Sequence, residues 1–332
     1  MKLSIAVPPG PQSRALAVRA EELGYDRIWF YDSAGLYEDI WIHLALVAEA
    51  TERIGLGTGV MVPNLRHVMT TASAIATIER LAPGRLACAV GTGYTARVVL
   101  GQKALPWKTV RTYVEQLRAL LRGEVVEIEG RPCQMIHRPE YAKARPIEVP
   151  FVLSAFGPKG LAISQEIADG WMGFSPPAAH FDWAIQMVNG TVLAPGESAN
   201  AARVVDAVGP WQVGAYHLTW EAARENLPAI PGGADWLAQI ESERPADARH
   251  LAVHHSHCTH LSTADRKALA AFGDAIPWSG WVGEKDAILA RGEAAAAAGT
   301  TEILYTPAGD DLIGQIETFY DALAPVQGAG AS

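Results

Sequence analysis

Short apolar runs, each followed by a stretch of helical spacing, recur from one end of this chain to the other. That alternation limits the fold more than any other feature. KLSIAV (2–7) reads as a first strand and residues 11–24 as the first helix, with Gly24 placed as a helix-ending glycine. DRIWFYD (26–32) with helix 39–52, IGLGTGV (54–60) with helix 67–81, and RLACAVGTG (85–93) with helix 108–122 repeat the unit. An excursion at 124–137 precedes PFVLSAF (150–156), helix 157–169 and the short strand GWMGF (170–174). Residues 175–200 read as a helix that loosens, VGAYHLTW (213–220) as strand seven, and RHLAVHHSH (249–257) as a late strand or loop entry. A helix over 283–298, the strand TEILYTP (301–307) and a helix over 311–323 complete the pattern.

Near-continuous apolar strands joined through helices imply parallel pairing with both sheet faces covered. About eight such units in one chain predict an α/β fold, a single (β/α)₈ TIM barrel, rather than an open sheet. The expected domain runs over 1–325, with 326–332 as a flexible tail. Insertions at 124–149, 190–210 and 222–250 fall in loops, which in such a barrel carry function at the C-terminal face.

Three strand exits are glycine-rich. The third strand ends in GTGVMVPN (57–64), the fourth in Gly91-Thr92-Gly93, and the fifth in Ser154-Ala155-Phe156-Gly157-Pro158-Lys159. Glycine at a barrel exit has two readings: tight packing of a corner, or close approach of a flat ligand to backbone. The fifth exit opens a helix, and free N–H groups at a helix start beside a serine and a lysine make an anion site. The full dinucleotide fingerprint is missing, because no acidic residue ends the next strand of the right βαβ unit. Together the three exits point to one phosphorylated, planar cofactor across the barrel top.

These segments carry a resemblance. GTGVMVPNLRHVMTTASAIATIERLAPGRLACAVGTG, VPFVLSAFGPKGLAISQEIADGWMGF and AEELGYDRIWFYD are similar to the bacterial-luciferase-like superfamily. The match covers 1–175 and resumes over 281–323, and TASAIATIERL most resembles the coenzyme F420-dependent branch, the methylenetetrahydromethanopterin reductase type. The resemblance implies an F420-dependent oxidoreductase that moves a hydride between the deazaflavin and a small organic substrate. The alternatives are an FMN-dependent monooxygenase and a non-catalytic flavin-binding homologue. It also implies a non-prolyl cis peptide at Gly59–Val60 backing the ring, with Met61 and Asn64 alongside. Gly91, Thr92 and Gly93 would line the cofactor; Ser154, Ala155, Phe156, Gly157 and Pro158 would hold its phosphate, with Lys159 as helper.

The chain departs from that branch at two places. Asp-His at the end of strand two is here Asp32-Ser33, and the glutamate after the fourth-strand glycines is Tyr94. The proton donor is therefore sought among Asp32, Tyr37, Tyr94 and His257. The tract His254-His255-Ser256-His257-Cys258-Thr259-His260 offers zinc-type ligands. Strand alternation would scatter them, and no second ligand pair of zinc-like spacing accompanies them, so no metal centre is expected. His67 reads as a helix-start or cofactor-rim residue. The apolar helix face at 41–50 reads as core or as a homodimer interface.

A net charge of −9 argues against a nucleic-acid partner. No apolar run approaches the ~20 residues of a membrane span, the N-terminus lacks a signal-peptide core, and three scattered cysteines form no disulfide framework. The expectation is a soluble cytoplasmic enzyme.

Overall fold

Strands form where the apolar runs can be buried on both faces. All residues of β1 (Lys2–Val7) after the first are buried, as is every residue of β4 (Leu86–Val90). With β2 (Arg27–Phe30), β3 (Gly55–Met61), β5 (Phe151–Ser154), β6 (Gly170–Gly173), β7 (Ala184–Val188) and β8 (Glu302–Tyr305), they form a closed parallel barrel in the order 1-8-7-6-5-4-3-2. The computed structural model describes residues 1–274 and 276–327.

The barrel interior is filled, not hollow. Trp29 projects into it among Ala6, Ala87, Ala89, Val152, Met172, Ile185 and Leu304. Its indole lies over Gly57, where an added Cβ would come within 2.2 Å of the ring. Beneath it the buried Glu302 accepts hydrogen bonds from Ser4 Oγ, Trp29 Nε1 and Trp183 Nε1. Arg27 stacks its guanidinium 5.3 Å from the centre of the Trp29 ring. These side chains fill the barrel toward its N-terminal end, where Arg27 and Glu302 open their strands.

Helices cover the outside. Ser13–Leu23 ends on Gly24 in the left-handed region (φ 99°), and Ile40–Ala50 starts on Asp39, whose carboxylate accepts the N–H groups of Trp41 and Ile42. His67 caps Val68–Leu81 by accepting Met69 N–H at 3.2 Å. The excursion after Trp107–Arg122 is a hairpin of Val126–Ile128 and Arg131–Cys133.

Three sequence expectations are corrected. Strand seven is Ala184–Val188, inside the stretch read as a loosening helix. VGAYHLTW is instead helical from Gly214 on, in Gly214–Ala222 with Val213 as its N-cap, and RHLAVHHSH is the short helix Arg249–Val253 running into turns. A short apolar run has no periodicity long enough to separate a buried helix from a buried strand. Both segments belong to one helical insertion between β7 and β8, built from Ala202–Gln212, Gly214–Ala222, Gly233–Glu243, Arg249–Val253 and Thr263–Ala270. It has its own core of Val213, Tyr216, Trp220, Leu227, Trp236 and Ile240 with their neighbours. The chain leaves and rejoins the barrel through the parallel pair Gly190–Val192 and Trp281–Gly283, which roots the insertion at the C-terminal end of β7.

Val326 and Gln327, expected in the flexible tail, belong to the closing helix Leu312–Gln327, where Val326 is buried. The remainder of that tail, 328–332, lies outside the described residues. Among the described residues no helix is long and apolar enough to cross a membrane.

Candidate cofactor and active site

The glycines of the β3 exit divide between the two readings left open by the sequence. Gly55 and Gly57 pack: an added Cβ would meet the Arg27 guanidinium at 2.8 Å and the Trp29 ring at 2.2 Å. Gly59 belongs to a bulge, because the register of β3 against β4 shifts between Thr58 and Met61. The Gly59–Val60 peptide is cis, as the resemblance implied. The β4 exit comes up against this bulge. A Cβ at Gly91 would fall 2.8 Å from Val60 Cγ2, and one at Gly93 (φ 80°) 2.4 Å from Val62 Cγ1. Only glycine lets the two exits lie this close. Gly91 N–H donates to Met61 O at 3.2 Å, fixing the two loops as one backbone ledge. Thr92 is half-buried on it, while Asn64 stands exposed on the turn Pro63–Leu65.

The β5 exit leads into helix Pro158–Ile167. Gly157 occupies the N-cap with extended backbone (φ −111°, ψ 166°), and no side chain caps the helix. Nothing lies within 4 Å of a Cβ built on Gly157, and Lys159 beside it is exposed. An uncapped helix start leaves N–H groups turned outward, with the positive end of the helix dipole behind them. Ser154 is half-buried and Ala155 buried. Phe156 is 66% exposed and stacks on Phe174, itself 51% exposed, with ring centres 5.2 Å apart. Trp211 of the insertion meets Phe174 edge-on at 6.3 Å. A bare aromatic step thus stands beside an uncapped helix start.

The structure sorts the four expected proton donors. Asp32 is committed elsewhere: Arg66 donates to both of its oxygens at 2.8 Å and to Asp39 at 2.7 Å. Burial pushes the Asp32 carboxyl up, and Arg66 pulls against it. The pair braces the β2 exit against the β3 exit. Tyr37 donates to His257 O at 3.2 Å, tying the barrel rim to the insertion. His257 does not face the mouth: its Nδ1 lies 2.7 Å from Nδ1 of His217, and burial with the neighbouring His217 pushes it down to about 3.

Tyr94 differs from these three. It opens the short helix Tyr94–Val98 directly after the Gly93 ledge. Its hydroxyl is buried with no hydrogen-bond partner among the described residues. Burial raises the phenol well above its usual value, and the nearby carboxylate of Glu221 on the insertion adds to that. It therefore holds its proton and has no acceptor for it among the described residues, an arrangement that a bound ligand would satisfy.

Reading by sequence missed His217. It sits in the run taken for strand seven, and with His254 and His257 it forms a buried three-imidazole cluster. Helix Arg249–Val253 and the turns that follow it, not an alternating strand, bring His254 and His257 together. Burial and the neighbouring imidazoles push His254 down to about 2.

Comparison with known proteins places these features. A family profile described as luciferase-like monooxygenase matches residues 6–302. The 5,10-methylenetetrahydromethanopterin reductase of Methanolobus tindarius is 28% identical over 173 residues, 51% of this chain and 52% of that protein. The F420-dependent glucose-6-phosphate dehydrogenase of Beutenbergia cavernae is 31% identical over 179 residues, 48% of this chain and 51% of that protein. The chain thus spans about half the length of the curated relatives it matches. Among solved structures, the coenzyme F420-dependent tetrahydromethanopterin reductase from Methanopyrus kandleri superposes with a TM-score of 0.66 at 19% identity, covering 98% of this chain and 99% of that one. An F420-dependent secondary alcohol dehydrogenase in complex with an F420–acetone adduct gives 0.65 at 16% identity, covering 98% of both chains. These superpositions establish the fold.

Proposed function

This chain belongs to the luciferase-like monooxygenase family, and from that premise we propose that it is an oxidoreductase that uses coenzyme F420 on a small organic substrate. The observation that carries the reading is the backbone ledge of Gly59–Val60, Gly91 and Gly93, with the unpartnered Tyr94 hydroxyl beside it. The names of the curated relatives support F420 over FMN.

The residues present fit such a cofactor. Gly59, Val60, Met61, Gly91, Thr92 and Gly93 would back the ring, with Asn64 at the edge. Ser154 to Pro158 would hold the phosphate at the uncapped helix start, with Lys159 adding charge. Bound F420 supplies the hydride chemistry; the chain supplies position, exclusion of water and a proton. Phe156 and Phe174 offer an aromatic wall for the substrate, and the insertion screens that side of the mouth. Tyr94 Oη holds the proton that a reduced substrate takes up, in the place where the branch carries glutamate. Asp32, spent on Arg66, keeps the two exits in register. The reading extends to a cytoplasmic homodimer formed through helix Ile40–Ala50, whose Ile42 is 62% exposed.

The test is parallel titration of the purified protein with F420 and FMN, read by fluorescence. The proposal expects tight F420 and weak FMN binding. The family description favours a second reading, an FMN-dependent monooxygenase, which the opposite preference would establish. Binding of neither would leave a non-catalytic homologue.

A further inference from the structure

Three histidines inside the insertion have no part in holding the cofactor. His217 lies in helix Gly214–Ala222, while His254 and His257 follow helix Arg249–Val253. They are 1%, 1% and 5% exposed. One ring nitrogen from each lies within 4.8 Å of the others. The ring centres form a nearly equilateral triangle with edges of 5.6, 5.0 and 5.4 Å. Three imidazoles on a tetrahedral ion, with Zn–N of about 2.1 Å, would put their ring centres about 5 Å apart.

We propose that His217, His254 and His257 bind one divalent transition-metal ion of the zinc class inside the insertion. Proton bookkeeping supports this. A neutral imidazole has one N–H and one lone pair. Without an ion, His217 and His257 share a single N–H···N contact at 2.7 Å. Among the described residues His254 Nδ1 and His217 Nε2 are then left buried with no hydrogen-bond partner, a costly arrangement. An ion at the centre takes the lone pairs of Nδ1 on His217, His257 and His254. The outer nitrogens then carry the protons, and two of them face carboxylates. His254 Nε2 is 3.0 Å from Glu221 Oε1, and His217 Nε2 is 3.6 Å from Asp265 Oδ1. Asp265 is itself held by Trp236 Nε1 at 2.8 Å and by the N–H of Ser262. Carboxylates behind the ligating imidazoles are the usual outer support of a histidine metal site. The Nδ1 pair needs to spread by only about 0.6 Å to reach tetrahedral spacing.

The position gives the ion a structural role. It would join two insertion helices behind the backbone carbonyl that receives Tyr37, and so hold the insertion against the barrel rim.

The test uses full-length protein without an affinity tag. Elemental analysis after growth with zinc should find about one equivalent of metal per chain. Chelator-treated protein titrated with Co(II) should develop the visible absorption of a tetrahedral site. His254→Gln and His257→Gln should each abolish that band, whereas His255→Gln, which alters an exposed neighbour, should keep it. If the ligand variants fail to fold, Glu221→Gln serves instead and should weaken Co(II) affinity roughly 10- to 100-fold. Metal-free protein after growth with zinc, together with no Co(II) band, would overturn the proposal and leave a hydrogen-bonded histidine cluster.

Discussion

The proposed reaction leans on Tyr94 more than on any other single side chain. Its hydroxyl is buried with no partner among the described residues, so removing it strands no acceptor among them. Tyr94→Phe should therefore leave the melting temperature unchanged or slightly raised. Turnover should fall on the order of 100-fold, with F420 affinity within about twofold. Equal turnover in steady-state assays would remove Tyr94 as the proton donor. Arg66 gives the contrary case: it neutralises an Asp32 side chain that is only 2% exposed. Arg66→Ala strands that carboxylate and should destabilise the protein by about 3 kcal/mol in urea unfolding; a loss below about 1 kcal/mol would mean the pair is not the brace described. Tyr94 was legible as a departure from the branch pattern. The commitment of Asp32 was not, because Arg66 lies far along the sequence and only the closed barrel brings the two exits together.

Among the elements, the first six strands were readable because each ends in its own punctuation: a glycine exit, a proline or a helix cap. Ala184–Val188 was not, since Gln186 interrupts its apolar run, and its side-chain oxygen accepts from Thr300 Oγ1 at 3.0 Å, far away in sequence. Contacts between elements carry stability that local pattern does not show. Glu21, on the first helix, accepts the N–H groups of Glu52, Arg53 and Ile54 where the chain enters β3. Burial acts to raise its carboxyl, but these three donors outweigh it and hold it below the usual 4.5. A carboxyl depressed in the folded state contributes stability above its unfolded value and loses it as pH falls through the folded value. Glu21→Gln should thus be less stable than the parent at neutral pH, and the gap should close on acidification below pH 4.5. A gap independent of pH in thermal melts would contradict that coupling.

At the scale of the whole molecule, the barrel followed from the alternation of elements, and the three glycine exits were found on one face of it. The insertion was the part least legible. Its helices are short, its core is private, and its apolar runs look like strands until packed against one another. It is also what separates this chain from a bare barrel: it brings Glu221 and Cys258 near Tyr94 and Trp211 against Phe174. In the proposed function the face beneath the insertion binds a phosphorylated deazaflavin, with the charged end at Gly157. Gly157 has open space around it and sits at an N-cap, where aspartate is favoured and would stabilise the helix. Gly157→Asp therefore separates ligand loss from misfolding. The decisive measurement is an F420 fluorescence titration of the parent and this variant, with their melting temperatures taken alongside. Tight binding by the parent is predicted, with a loss of at least about 100-fold in a variant that melts no lower, from carboxylate–phosphate repulsion at the helix start. Unchanged F420 affinity in Gly157→Asp would contradict it.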